Sequence, residues 1–151
     1  MTDDLVRNRK ATHLYHLLET WEAGLVLTGS EVKSLRAGGG NLQDAYVDGA
    51  DGELWLRQAH VAPYEHGGYV NHEPLRPRKL LLNRAEIRRI LSKVDRKGYT
   101  LVPLALYLNE RGKIKVRIAL AEGKKAHDKR EALEARERKR EMDRVRKGER
   151  E

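Results

Sequence analysis

The chain contains no cysteine and no phenylalanine, and only four prolines. Without cysteine there is no disulfide framework, no thiolate metal site and no cysteine nucleophile. Long apolar runs are missing as well. The most extended, Leu101–Leu108, is interrupted by Pro103, and no run is long enough to cross a bilayer. The opening MTDDLVRNRK has no apolar stretch behind its charges, so no secretory signal is expected there. HExxH and GxSxG do not occur. Gly38–Gly40 lacks a following Lys-Ser/Thr, and Gly123-Lys124-Lys125 lacks the spaced upstream glycine of a phosphate-binding loop. His13 and His16 fall in an expected strand, where they would point to opposite faces, and His66 and His72 fall in a long loop. His127-Asp128 lies within a run of charge, which suits a buried acid–base pair poorly. No metal, cofactor or catalytic set is expected, which places an enzyme behind a binding protein.

What is present is charge. The 151 residues hold 31 Lys plus Arg against 23 Asp plus Glu, a net +8. A chain of this length favours one domain with an appendage, soluble and cytoplasmic. The positive balance points to a polyanion, most often nucleic acid. The charge is unevenly spread. Residues 1–123 carry 19 basic and 15 acidic side chains, whereas 20 of the 28 positions in 124–151 are charged. With Leu133, Met142 and Val145 as its only larger apolar residues, the segment 124–151 cannot offset its ordering entropy. Acid-to-base pairs at i,i+4 (Glu134–Arg138, Asp143–Lys147) give it helical character. It is expected to be disordered alone and helical against a partner; a solubilising tail is the competing reading.

Residues 1–123 read as a β-rich α+β domain. His13–Leu27 is a candidate long bent strand with a bulge at Gly24. Thr28 and Glu31 have the spacing of a capping box, opening a short helix to Ala37 that stops at Gly38–Gly40. Strands are predicted at Asp44–Asp48 and Glu53–Val61. An irregular connection follows over 62–79, carrying Pro63, Pro74 and Pro77. A helix over Asn83–Lys97, capped by Asn83, places Ile87, Ile90, Leu91 and Val94 on one stripe. Thr100–Leu108 and Lys113–Ala121 form a hairpin. In its second arm Ile114, Val116, Ile118 and Leu120 alternate with Lys113, Lys115 and Arg117. Strands in series with inserted helices are consistent with a small antiparallel barrel of oligonucleotide-binding type.

Three basic clusters stand out: Lys33 with Arg36 on the short helix, Arg76 with Arg78 and Lys79, and Lys113, Lys115 and Arg117 along one strand. Each alone is an ordinary solvated face; together with the basic tail they favour nucleic acid. Of the eight aromatics some are candidates to stack on bases, and most are expected in the core because phenylalanine is absent.

The strings NRKATH, ETWEAGLVLTGSEVKSLRAG, NLQDAYV, GELWL, APYE, NHEP, RPRKLLLN, GYTLVPLALY and AEGKKAHDKRE occur in that order over residues 8–131. In them the chain resembles the small protein B family of tmRNA-binding proteins; beyond 131 it matches only in character. The resemblance implies a barrel over 1–123 that binds the tRNA-like domain of tmRNA, and a tail over 124–151. Together protein and RNA would enter the vacant A site of a stalled ribosome, with the tail in the empty mRNA channel near the decoding centre. It further implies indirect links, through tmRNA, to elongation factor Tu and alanyl-tRNA synthetase, and no chemistry of the protein's own; the sequence itself gives no reason to expect an oligomer, so a monomer is expected. The family's RNA contacts fall on Glu22, Leu81 and Asn83, and Lys33, Arg36, Asn41, Arg78 and Lys79 join them as expected tmRNA contacts. Each of the first three has a structural reading too: Glu22 paired with a base, Leu81 in the core, Asn83 as a helix cap. The tail motif falls on Gly123, Lys124, Lys125, His127, Asp128, Lys129 and Arg130, with the cations on ribosomal RNA phosphates and His127 stacking. Gly39 stands where the family often has lysine, which removes one phosphate contact. A general single-stranded RNA-binding or ribosomal barrel is the alternative.

Overall fold

The computed structural model describes residues 3–65, 71–97 and 99–123. Two elements open it that the sequence did not announce. β1 (Asp3–Arg7) buries Val6, and α1 (Arg9–Leu14) buries only Ala11. One buried side chain in each leaves no readable period. His13 therefore sits on a helix, and His16 is the second residue of the strand that follows. β2 (Tyr15–Leu25) is the long strand, shorter at both ends than its pattern suggested. Its irregularity lies between Leu17 and Glu19, not at Gly24. Gly24 instead pairs on both edges, and a Cβ there would stand 3.1 Å from Leu81 Cβ. Close approach, not a bulge, explains that glycine.

α2 (Gly29–Arg36) begins with the predicted capping box. Glu31 N–H donates to Thr28 Oγ1 at 3.3 Å, and Thr28 N–H donates to Glu31 Oε1 at 2.8 Å. Gly38, at φ +88°, ends the helix. A Cβ on Gly39 would collide with Ser34 Oγ, so this backbone is closed to a lysine unless Ser34 moves. β3 (Gly40–Asn41) leads to the hairpin of β4 (Tyr46–Ala50) and β5 (Glu53–Arg57). Its two-residue turn holds Asp51 and Gly52 at φ 55° and 75°, the left-handed pair that matches strand twist. β6 (His60–Val61) pairs with β3 in a separate ribbon. The connection ends at β7 (Arg78–Leu81), two residues inside the span expected to be irregular.

α3 (Arg84–Lys97) is capped as expected, with Glu86 N–H donating to Asn83 Oδ1 at 2.9 Å. Ile87 and Ile90 are buried, and Leu91 and Val94 pack against the same core. β8 (Thr100–Leu108) and β9 (Ile114–Gly123) form the expected hairpin. Asn109 Oδ1 tightens its turn by accepting from the N–H groups of Arg111 and Lys113. β8 is buried on both faces. Its outer face carries a second small cluster in which Val102, Ala119 and Ala121 meet Ala11 of α1. Pro103 is tolerated there because the ladder with β9 shifts register between Pro103 and Ala105, and Asn8 Nδ2 donates to the Pro103 carbonyl at 2.8 Å.

The sheet runs β1-β8-β4-β5-β7-β2-β9, and β9 returns to pair with β8. The strands form a partial ring, closed between β4 and β8 by the single pair Val47–Leu101. The fold is mixed α+β and strand-rich, as the sequence implied. The core inside the ring is aliphatic. Among the described aromatics only Tyr107 is buried, which corrects the expectation that aromatics would fill it.

Candidate nucleic-acid interface

Residues directly opposed in an antiparallel ladder share a face. The registers of β7, β2, β9 and β8 therefore set Leu81, Gly24, Lys115 and Tyr107 in one row, and Glu22, Arg117 and Ala105 in the next. The row is the outside of the ring, because the alternate positions Ala23, Val116 and Leu106 are buried inside. Leu81 is 52% exposed, so it is a surface residue and not core. Glu22 is exposed, and its Oε2 accepts the Tyr107 hydroxyl. Burial, then the hydrogen bond and charge of Glu22, push the Tyr107 pKa up, against the opposing pull of Arg117. The hydroxyl stays a donor, and Glu22 Oε1 accepts no hydrogen bond from the described residues. The Arg117 guanidinium lies over the Tyr107 ring at 4.8 Å. The result is an exposed carboxylate fixed by a phenol, flanked by two cations and an apolar side chain.

Tyr107 was not legible as a site residue, because it stands in a nearly continuous apolar run. Lys115 and Arg117 were legible from their alternation. Asn83 is exposed two residues beyond Leu81, with its carbonyl oxygen spent on the helix cap.

The other expected contacts divide. Lys33 and Arg36 are exposed on α2, Lys33 lying 5.9 Å over the Tyr64 ring. Arg36 Nη2 donates to the Gly112 carbonyl at 3.1 Å, which draws the first basic cluster beside the third. The second cluster is engaged in ion pairs, and one of its members is buried. Arg78 is 1% exposed: its Nε donates to Glu31 Oε2 and its Nη1 to the Ala59 carbonyl, both at 2.6 Å. Arg78 is thus a buried structural cation and not a phosphate contact. Arg76 shares the same carboxylate, through Nη2 at 2.5 Å. Burial pushes the Glu31 carboxyl up, but Arg76, the Thr28 N–H and Arg78 outweigh it and hold its pKa at about 2. Lys79 lies 3.6 Å from Glu53. Asn41 lies in the β3–β6 ribbon, off this face, and its Oδ1 accepts the Gln43 N–H. His72 is also spent: its Nε2–H donates to the Val61 carbonyl at 2.8 Å, and its Nδ1 meets Ser30 Oγ at 2.9 Å. Gly123 ends β9 opposite Tyr15. Lys124, Lys125, His127, Asp128, Lys129 and Arg130 lie outside the described residues.

Fold and face together define an antiparallel β-ring protein with an open, cation-rich outer surface. The sequence pattern of the SmpB protein family matches residues 5–148. The match continues past 131, so the likeness of that segment is more than one of character. Proteins called SsrA-binding protein are similar over most of their length. That of Symbiobacterium thermophilum is 57% identical over 144 residues, covering 95% of this chain and 91% of its own. That of Roseiflexus castenholzii is 60% identical over 139 residues, covering 91% and 87%. A chain of the solved structure "tmRNA-SmpB: a journey to the center of the bacterial ribosome" superposes with a TM-score of 0.67 at 54% identity. That superposition covers 78% of this chain and 82% of the other. The chain belongs to the SmpB family.

Proposed function

We propose that this chain is an RNA-binding adaptor of trans-translation: it binds the tRNA-like domain of tmRNA and accompanies it into the A site of a stalled ribosome. The observation that carries the reading is identity of 57% or more, over nine-tenths of the chain, to proteins named for binding SsrA RNA. The outer face supports it physically. Glu22, held by Tyr107, offers a carboxylate oxygen to base amino groups or ribose hydroxyls. Lys115 and Arg117 beside it take phosphates, and Leu81 and Asn83 border the same surface. Lys33 and Arg36 extend it across α2, Lys79 contributes from its margin, and Asn41 contributes separately from the β3–β6 ribbon. The face holds an RNA without performing chemistry on it. Links to elongation factor Tu and alanyl-tRNA synthetase run through the RNA, and the protein works as a monomer in the cytosol. Residues 124–151 form the second part, with Gly123 opening its ribosome-binding motif, Lys124, Lys125, Lys129 and Arg130 on ribosomal RNA phosphates in the mRNA channel, and His127 and Asp128 near the decoding centre.

The test is equilibrium binding of tmRNA against an equal mass of unrelated tRNA, with wild type and Glu22→Ala. Preference for tmRNA, reduced about tenfold or more in Glu22→Ala, is expected. Equal affinity for both RNAs would favour a general RNA-binding barrel instead.

A further inference from the structure

The ring has a seam. β4 and β8 meet at the single pair Val47–Leu101, and no further pair joins them. Leu91 and Val94 of α3 floor the gap, which leaves an open cleft of about 480 Å³ between the β4–β5 turn, the C-terminal half of α3 and the start of β8. Its rim carries one sign of charge. Asp48, Asp51 and Asp95 line it together with Tyr46 and Tyr99, and among the described residues no lysine, arginine or histidine does. Asp48 is paired with Arg57 at 2.5 Å. Asp51 and Asp95 are exposed and enter no ion pair among the described residues. On a chain of net +8 the cleft is an acidic island, which repels a phosphate backbone. It suits a cation on an aliphatic stem: the stem lies on Leu91 and Val94, and the head meets carboxylates and tyrosine faces.

The chain delivers such cations to this place. Ala121 of β9 pairs with Thr100, which lines the cleft, and Lys124 follows three residues later. Residues 124–130 hold Lys124, Lys125, Lys129 and Arg130 against the single acid Asp128. At about 3.3–3.6 Å per extended residue they span up to about 25 Å. Crossing from β9 over β8 toward β4 takes two strand spacings of about 4.8 Å.

We propose that the seam cleft receives residues 124–130 of the same chain, with Lys124 and Lys125 on Asp51 and Asp95, whenever no polyanion holds them. An exposed ion pair is weak and screened by salt. The tether offsets that weakness, because it supplies an effective concentration in the mM range. A contact with an intrinsic Kd of about 1 mM is then made about half the time. The segment needs no helix to make it. A cationic segment of another protein has the same chemistry but must displace one that is already attached. The contact gives these cations a carboxylate partner of their own, so that only a polyanion with many phosphates draws them away. That consequence, though not the contact, rests on the reading of residues 124–151 above.

The test uses the full chain without RNA. A zero-length carbodiimide joins lysine amines to carboxylates they touch, and mass spectrometry reads the joined peptides. Lys124 or Lys125 joined to Asp51 or Asp95 is expected at low salt, with the yield falling about fivefold or more in about 0.5 M salt. In a mixture of isotope-labelled and unlabelled protein the joins should lie within one copy. Amide resonances of Gly52, Thr100 and Leu101 should shift in Lys124→Gln with Lys125→Gln. The same change made on top of Asp51→Asn with Asp95→Asn should shift them no further. Asparagine tolerates the φ of 55° at position 51, so the turn survives that substitution. Lysines joined only to carboxylates elsewhere, joins found only between copies, or amides that do not move would each overturn the contact. Because no RNA is present, any of these results leaves the RNA-binding reading standing. Failure of wild type to prefer tmRNA over tRNA would overturn that reading and leave the contact standing.

Discussion

Glutamine at position 31 would remove one charge and almost no volume from the most completely buried ionic group among the described residues. Glu31 is 0% exposed and holds Arg76, Arg78 and the Thr28 N–H at once. Two routes give the cost. The carboxyl titrates at about 2 rather than 4.5, a difference that favours the folded state by roughly 3 kcal/mol at neutral pH. Breaking a buried pair while Arg78 stays buried costs about 3–5 kcal/mol. Both put Glu31→Gln about 3–5 kcal/mol below wild type, measured by urea unfolding at pH 7 with the slopes compared. A loss under about 1 kcal/mol would refute the reasoning, since it would mean that Arg78 is paired or hydrated by other groups. The pH dependence carries the same sign. The folded pKa lies below the unfolded one, so the contribution is full above about pH 4.5 and declines as the pH falls toward 2. That decline should be absent from Glu31→Gln.

Three further outcomes are expected. Tyr107→Phe keeps the ring under Arg117 but frees Glu22, so tmRNA affinity should fall severalfold with little change in thermal stability. In a Glu22→Ala background it should have no further effect, and additive losses would show that Tyr107 acts elsewhere. Asn83→Ala should cost about 1 kcal/mol of stability from the lost helix cap and weaken tmRNA binding; unchanged binding would reduce Asn83 to its capping role. Removing residues 124–151 should leave tmRNA binding intact and abolish tagging on stalled ribosomes, whereas full tagging would return that segment to a solubilising role.

Periodicity carried the fold where an element buries one clean stripe. The second arm of the hairpin alternates Ile114, Val116, Ile118 and Leu120 inward, and α3 repeats its apolar positions at helical spacing, so both are legible to within a residue or two. β1 and α1 escaped because each buries a single side chain, and their stability comes from β8 and the cluster around Ala11. β8 looked like an undifferentiated apolar run because α1 covers the face that would otherwise be polar. At the surface, cations were easy to count and hard to assign. Nothing local distinguishes Arg78 from Lys79. The difference arises from Glu31, 47 residues away, which the chain folds against Arg78 and not against Lys79. Tyr107 illustrates the converse: its role depends on a carboxylate 85 residues distant, brought beside it only when β8 and β2 flank β9.

The central claim is that this ring recognises one RNA. Ultraviolet crosslinking in living cells, followed by purification of the protein and sequencing of the attached RNA, measures that directly. tmRNA should dominate the recovered fragments, with crosslinks concentrated in its tRNA-like domain and reduced in Glu22→Ala. A recovery proportional to cellular RNA abundance, with ribosomal RNA and ordinary tRNA leading and tmRNA not enriched, would contradict it.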